Sequence, residues 1–287
     1  MDIALAVVAA LFFALGTVLQ QKAGLDEPPE GSSAGLLVQM ARRPMWLAGI
    51  GADALGFAAQ FVALAVGRVA VVQPLLVLSV VFALPLGARL TNQRITRLDV
   101  GAALVVTVGL VAFLAIADPH GGRDDAPLGD WIVTGVVCAA ILAPLIVASR
   151  RMRGAAARAA TLGTCTGILF GLSAALTSVV GHRFDDGILD VFTSWPLYAL
   201  LVVGYASMTF SQLSLQTGAL APAVATQMTL DPVTSLVLAV TLLQESLDSS
   251  ALDLVATVVA LGLVLAGVAV LARSQQEAEA QAAPSPS

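Results

Sequence analysis

Asp231 and Pro232 lie side by side near the middle of a long apolar stretch, residues 220–243. Proline donates no backbone hydrogen bond, so in a helix the carbonyl of Met228 loses its usual donor. A carboxylate at the same depth in a bilayer adds a desolvation penalty, and such residues usually mark functional sites. Asp231 is therefore predicted to bind a cation or to exchange a proton. The alternative is a proline kink in which Asp231 only bonds to freed backbone groups.

A second carboxylate, Asp53, lies within the apolar run 46–66. Gln60 follows it by seven residues, which is two helical turns, so the two side chains share one face of a helix. We expect Asp53 and Gln60 to face a cavity, with Asp53 the acidic partner of Asp231 across it. A hydrogen-bonded aspartate that packs two helices together remains the alternative.

Amide side chains accompany both prolines of the candidate site. Gln73 directly precedes Pro74 in the run 69–88, and Gln227 lies one helical turn before Asp231. Gln73 is predicted either to contact a ligand or to make a hydrogen bond between helices. The counterpart of Asp231 in the first half of the chain would thus carry no charge, which predicts an asymmetric site.

The run 195–216 is rich in hydroxyl and amide side chains that a lipid-facing surface accepts poorly. Tyr205, Thr209 and Gln212 fall on one helical face, at i, i+4 and i+7. This stripe is predicted to line a pore. In the run 159–181, Gly163, Gly167 and Gly171 recur every four residues, which predicts a close helix-packing face.

The composition places the chain among multi-pass membrane proteins. Of its 287 residues, 58% are hydrophobic and only 11% are charged, with a mean hydropathy of +0.90. Nine apolar windows are long enough to cross about 30 Å of hydrocarbon. They cover residues 2–20, 46–66, 69–88, 98–117, 130–148, 159–181, 195–216, 220–243 and 251–272. The sequence therefore predicts an all-α fold with nine transmembrane helices.

Basic residues in the connections predict the orientation of these helices. With nine spans, eleven Lys and Arg residues fall on the side of the C-terminus and three on the other side. Because basic loops stay in the cytoplasm, this bias places the N-terminus outside and the C-terminus inside. The short apolar piece 36–38 in the first loop is predicted to be an interfacial helix, since it is too short to span.

The loop positions predict an inverted repeat of two four-helix units joined by the fifth span. The first repeat would cover 1–117, with a cytoplasmic loop at 21–45, and the second would cover 159–272. Residues 118–158 would hold the fifth span and a basic loop, and 273–287 a disordered tail. Many secondary transporters are built from such repeats, with their sites near the membrane midplane.

The motifs resemble the drug/metabolite transporter superfamily, particularly its EamA-like and NIPA-like (magnesium transporter) members. Residues 67–74 (Gly-Arg-Val-Ala-Val-Val-Gln-Pro) and 90–96 (Leu-Thr-Asn-Gln-Arg-Ile-Thr) resemble the third span of that family and the turn after it, with Gln93 replacing the usual glutamate. In the second half, Leu-Asp-Pro at 230–232 is followed by a turn in which Glu245 keeps that glutamate. The resemblance implies the fold and a transport activity, but no particular substrate.

The sequence thus predicts a secondary transporter of a metabolite or drug-like solute in the cytoplasmic membrane, coupled to a proton or cation gradient. A divalent-cation (Mg²⁺) carrier and a non-transporting scaffold or accessory subunit are the alternatives. The expected partners are the lipid bilayer, the solute and the coupling ion, and a homodimer is left open. No enzyme activity, cofactor, resident metal or nucleic-acid partner is expected, since neither a phosphate-binding loop nor a catalytic triad pattern occurs.

Overall fold

The computed structural model describes residues 1–26, 43–91, 95–217, 219–247 and 251–282 of the chain. In this part the protein is a bundle of α-helices with one very short pair of β-strands. The helices of the first half are α1 (Asp2–Asp26), α2 (Pro44–Val66), α3 (Val69–Leu76), α4 (Leu78–Leu90) and α5 (Arg97–Ala117). Those that follow are α6 (Leu128–Arg151), α7 (Ala155–Asp186), α8 (Ile188–Thr193), α9 (Trp195–Leu215), α10 (Leu220–Thr241) and α11 (Ala251–Ala282). The strands are β1 (His120–Gly121) and β2 (Glu245–Ser246).

Eight helical segments of the described chain are long and apolar enough to cross a membrane, when α3 and α4 are taken together as one segment. A shorter apolar piece, Val255–Leu271, lies within α11. The protein is therefore a polytopic all-α membrane protein. The predicted interfacial helix at 36–38 and the turn at 92–94 lie outside the described residues. Helix α11 continues to Ala282, so the segment predicted as a disordered tail begins as helix.

The helix discontinuity lies in the third apolar run and not at Asp231. Helix α10 runs without interruption from Leu220 to Thr241, with Pro232 inside it. In contrast, α3 ends at Leu76 and α4 begins at Leu78. The amide of Val77 between them donates to the Pro74 carbonyl (3.2 Å), which is a tightened turn of the 3₁₀ type. One lost hydrogen bond at a proline is tolerated in α10, because neighbouring helices pack around it.

Helix α7 is the centre of the bundle, with 78% of its apolar window buried. It packs against α9 and α10 of its own half and against α2 of the first half. In the first half, α1 packs against α2 and the pair α3–α4, while α5 packs along α11. Helix α6 lies at the periphery, where it contacts mainly α7.

The glycine row of α7 forms the contact with α10, which confirms the packing face predicted from the sequence. A Cβ atom added at Gly167 would lie 2.8 Å from the carbonyl oxygen of Gln227 and 3.0 Å from the amide of Asp231. One added at Gly171 would lie 3.0 Å from the carbonyl oxygen of Asp231. Because Gly167 and Gly171 have no side chains, the backbone around Asp231 in α10 packs directly against the backbone of α7.

One end of the bundle gathers loops from both halves. There β1 pairs with β2 in antiparallel register, His120 opposite Ser246. Gly67 packs on the side chain of Asp2 at the start of α1. We call this the Glu245 end, defined by Asp2, Gly67, β1 and β2. The α3–α4 segment, α6 and α9 begin near this end, so α4, α6 and α9 finish at the opposite end.

Candidate functional site

A cavity of about 780 Å³ lies between the two halves of the bundle. It is lined by the middle portions of helices from both halves and by the junction of α3 and α4, including Leu76 and Val77. Its volume falls within the range typical of small-molecule sites. The polar side chains that line it are Thr17, Gln60, Gln73, Ser79, Ser173, Thr177, Gln227 and Asp231.

Asp231 is the carboxylate of this cavity. Its backbone carbonyl accepts a hydrogen bond from Ser235 Oγ (2.8 Å), and Oδ1 lies 3.4 Å from the same hydroxyl. Among the lining residues in the described part of the chain there is no Lys, Arg or His. The negative charge of Asp231 would therefore be neutralised by a proton or by another cation that enters the cavity.

Gln73 supplies a hydrogen-bond donor that the protein does not use. Its side chain is 3% exposed and lines the cavity from the last turn of α3. Its Nε2 atom is buried and has no hydrogen-bond partner. Because a buried polar group without a partner is unfavourable, this amide is suited to an acceptor atom on a ligand or on a water molecule that accompanies it.

Gln60 and Gln227 also line the cavity. Gln227 Oε1 lies 3.3 Å from Ser211 Oγ, so α9 holds this amide in place from the side. Four of the eight site residues predicted from the sequence, Gln60, Gln73, Gln227 and Asp231, thus meet around one space. Their functional roles remain predictions.

Asp53 lies elsewhere. It is absent from the cavity lining, and its Oδ2 accepts a hydrogen bond of 2.5 Å from Gln20 Nε2 of α1. A Cβ atom at Gly16 would collide with its carboxylate, so the side chain fills the contact between α1 and α2. The expectation that Asp53 faces Asp231 across one cavity is therefore wrong. The arrangement agrees with the alternative given for Asp53 from the sequence, a hydrogen-bonded aspartate that packs two helices together.

The stripe of Tyr205, Thr209 and Gln212 lies on the exposed face of α9, with Tyr205 78% exposed. These three residues do not line the cavity, so the predicted pore-lining position is wrong. The hydroxyl of Thr209 donates to the carbonyl of Tyr205 one turn earlier (2.8 Å). Hydroxyls that bond within their own helix need no wet cavity. The neighbouring face of α9, with Gly204 and Met208, lines the cavity instead.

Aromatic side chains form much of the remaining wall. Phe13, Phe57, Phe61 and Phe170 all line the cavity, and Phe13 meets Phe57 edge to face at 4.9 Å between ring centroids. Phe13 and Phe170 carried no signal in the sequence, because a phenylalanine in an apolar helix is ordinary. Their presence gives the cavity an apolar lining around its few polar groups.

A test of Gln73 follows from its unpartnered amide. We expect Gln73→Leu to lower transport about tenfold, the effect of losing about one good hydrogen bond to the solute. The same change should leave the melting temperature unchanged or raise it, since it removes a buried unsatisfied donor. Flux in proteoliposomes and thermal unfolding of the purified protein measure the two effects.

The matched control is Gln212→Leu, the same replacement on the exposed face of α9. Its flux should stay within about twofold of the parent, as is usual for exposed positions. A melting temperature that falls for Gln73→Leu, in step with its flux, would mean that Gln73 supports the fold and not a ligand.

Comparisons with known proteins agree with this membrane architecture. Residues 1–125 match the model of a family described as magnesium transporter NIPA. An uncharacterised protein of Corynebacterium glutamicum is 29% identical over 271 residues, which is 94% of this chain and 93% of that protein. No solved structure matches the chain. The similarity of the first 125 residues to the NIPA family supports a membrane transporter.

Proposed function

We propose that the protein is a secondary transporter that carries a small solute, a metabolite or a drug-like compound, through the Asp231 cavity. The observation that carries this proposal is a cavity between the two halves with one carboxylate and no basic residue among its described lining. Either a proton or a cationic group can occupy Asp231, but not both at once. Such competition couples the solute to a proton or cation gradient, with the solute driven in exchange for the ion.

Alternating access would come from movement of two inverted repeats around this cavity. The packing of α1 against α2 and the α3–α4 pair resembles that of α7 against α9 and α10, which supports a repeat. The break between α3 and α4 supports it as well, since discontinuous helices line the sites of many transporters. In this proposal α11 is the ninth span, and the basic bias of the loops places the Glu245 end outside the cytoplasmic membrane.

The walls of the cavity favour an organic solute. Its volume of about 780 Å³ exceeds what a single dehydrated ion requires, and four phenylalanines line it. An apolar wall with a few convergent polar groups is typical of sites for small organic molecules. In this scheme Asp231 binds a positive group, Gln73 donates to an acceptor atom, and the phenylalanines contact the apolar part of the solute.

Mg²⁺ is the second candidate, favoured by the match of residues 1–125 to the NIPA magnesium transporter family. Asp53 does not line the cavity, so two carboxylates would not share the ion there. Mg²⁺ loses its water reluctantly and is often held by one or two carboxylates. The ion would therefore bind Asp231 and keep most of its waters. These waters could donate hydrogen bonds to the side-chain oxygens of Gln73, Gln60 and Gln227.

Flux in proteoliposomes tests both candidates. The purified protein is reconstituted with a pH-sensitive dye inside, and a panel of small amines, amino acids and drug-like cations is added under an imposed proton gradient. Solute-dependent proton movement is the expected result, with no movement in protein-free vesicles. A second assay replaces the dye with a Mg²⁺ indicator and imposes a millimolar Mg²⁺ gradient. Mg²⁺ entry without any organic flux would replace the first candidate by the second. If neither flux is observed, a scaffold or accessory subunit is favoured.

A further inference from the structure

Glu245 is a buried carboxylate that the cavity does not use. It lies in β2 and is 5% exposed. Its Oε1 accepts a hydrogen bond from the amide of Val69, and its Oε2 accepts one from the amide of Ala70, both at 2.9 Å. These amides are the first two of α3, where a helix has backbone donors without partners of its own. Glu245 therefore caps α3 with both of its oxygens.

This cap joins the two halves of the protein, because Glu245 lies 175 residues beyond Ala70 in the chain. Other contacts between loops and helices of different halves occur at the same end. Ser178 Oγ of α7 donates to the carbonyl of Leu64 in α2 (3.0 Å), and Gly181 packs directly on Ala65. Together with Glu245 they close the Glu245 end of the bundle.

The loop after α5 holds the strand of Glu245 in position. Arg123 donates through Nε and Nη2 to the carbonyl of Leu242 (2.9 and 2.7 Å), and its amide donates to the carbonyl of Leu243 (2.8 Å). Next to these bonds, β1 pairs with β2. The backbone before Glu245 is held by three hydrogen bonds from Arg123 and by the pairing of β1 with β2. The carboxylate of Glu245 therefore has a defined position from which to bind α3.

Helix α3 connects this closed end to the cavity. Its eight residues, rising about 1.5 Å each, extend about 12 Å. Gln73 lies in its last turn, and the discontinuity at Val77 follows directly; both residues line the cavity. A movement of α3 at its capped end would therefore move Gln73 and the cavity wall with it.

We propose that Glu245 is the latch of a gate at this end of the transporter. Its carboxylate holds α3 in the closed position and leaves the amides of Val69 and Ala70 when this end opens. Glu245 would thus be a positioning residue that acts on the cavity through α3. The proposal rests on the proposed function, because a gate has a purpose only in a protein that exposes the cavity to two sides in turn.

The surroundings of Glu245 give the latch a pH dependence. Burial raises its pKa, while the amides of Ala70 and Val69 and the charges of Arg68 and His182 lower it, with burial the larger effect. Other charged groups nearby are Arg123, which binds the preceding carbonyls, and Asp124, whose Oδ1 lies 3.7 Å from His182 Nε2. Asp2 contacts Gly67 beside Arg68.

The sign of this dependence follows from linkage. When the end opens, water reaches Glu245 and its pKa returns toward the ordinary range of a glutamate. The closed form then binds the proton more tightly than the open form, so acid favours closure. This contribution is complete below the ordinary pKa and is lost as the pH rises through the raised pKa. A protonated carboxyl still accepts a hydrogen bond through its carbonyl oxygen, so it can continue to cap α3.

A labelling experiment tests the latch in the full-length protein. Ser173, which lines the cavity, is replaced by cysteine in a background in which Cys138 and Cys165 are alanine. A membrane-impermeant thiol reagent is added from the Glu245 side of oriented vesicles, and the labelling rate reports opening. Glu245→Ala should raise this rate about 100-fold, the effect expected for losing two backbone hydrogen bonds at about tenfold each. Ser246→Ala, the exposed neighbour in β2, should label like the parent.

The isosteric variant Glu245→Gln separates a latch from a structural role. An amide has one acceptor oxygen, so it should label at an intermediate rate. From about pH 4 to 8, a range that begins near the ordinary glutamate pKa, the parent's labelling should rise more steeply than that of the glutamine variant, since only the parent has a titratable group at position 245. Equal rates for parent, Glu245→Gln and Glu245→Ala, in monodisperse protein, would overturn the latch. Faster labelling of Glu245→Ala, without any solute flux in the parent, would support the latch and contradict the transport function. Solute flux in the parent, with unchanged labelling of Glu245→Ala, would support transport and contradict the latch.

Discussion

Asp231→Asn is expected to lower solute-driven proton flux in proteoliposomes by at least about 100-fold, or about 2.7 kcal/mol. Asparagine has nearly the same shape and can still bond with Ser235, but it neither binds a proton nor carries a charge. With no other carboxylate among the described lining residues, the cavity would keep no group able to exchange a proton for a cation. Solute-dependent pH change in dye-loaded vesicles measures this loss.

Asp53→Asn is the matched control for this experiment, because it makes the same change at another aspartate within a membrane helix. Asp53 lies in the contact of α1 with α2, and asparagine can still accept the hydrogen bond from Gln20. Its flux should stay within about threefold of the parent, a change of about 0.6 kcal/mol. If Asp231→Asn transported like the parent while Asp53→Asn did not, the coupling site would lie in the α1–α2 contact and the cavity assignment would be wrong.

Gly167→Leu is expected to have the largest effect on stability. The first side-chain atom alone would lie 2.7 Å from Leu230 Cβ and 2.8 Å from the Gln227 carbonyl, so α7 and α10 would have to separate. Overpacking of this kind typically destabilises by about 1–3 kcal/mol, and backbone contacts leave little room for relaxation. Thermal unfolding in detergent, followed by the loss of the monodisperse peak in size-exclusion chromatography, measures the effect.

Gly135→Leu provides the comparison, since a Cβ atom at Gly135 of α6 would meet nothing within 4 Å. This variant should unfold within a few degrees of the parent, as substitutions at open positions usually do. Equal melting temperatures for the two variants would show that α7 and α10 are not held together as closely as the glycine row implies. Because Gly167 also touches the backbone of Asp231, any Gly167→Leu protein that does fold should transport poorly.

Glu245 illustrates how far the sequence reaches and where it stops. Its place in a turn that resembles a family motif marked it for attention, yet nothing in the chain near Glu245 indicates what it binds. Its partners, Val69 and Ala70, belong to the other half of the protein. A contact between residues so far apart in the chain depends on how the halves pack, and a single sequence carries little information about that.

The sequence by itself determined that the protein spans a membrane with many helices, and which helices carry polar groups. Those are local properties, set by the length of each apolar run and by the residues within it. Only the tertiary structure decided which polar groups meet. It brought Gln60, Gln73, Gln227 and Asp231 to one cavity, and it left Asp53 in a helix contact and Tyr205 on the exposed surface. In a water-soluble protein, the apolar face of a helix shows which side is inward. In a bilayer, lipid and protein interior are equally apolar, so the rotation of each helix is set by close packing, as at the glycines of α7.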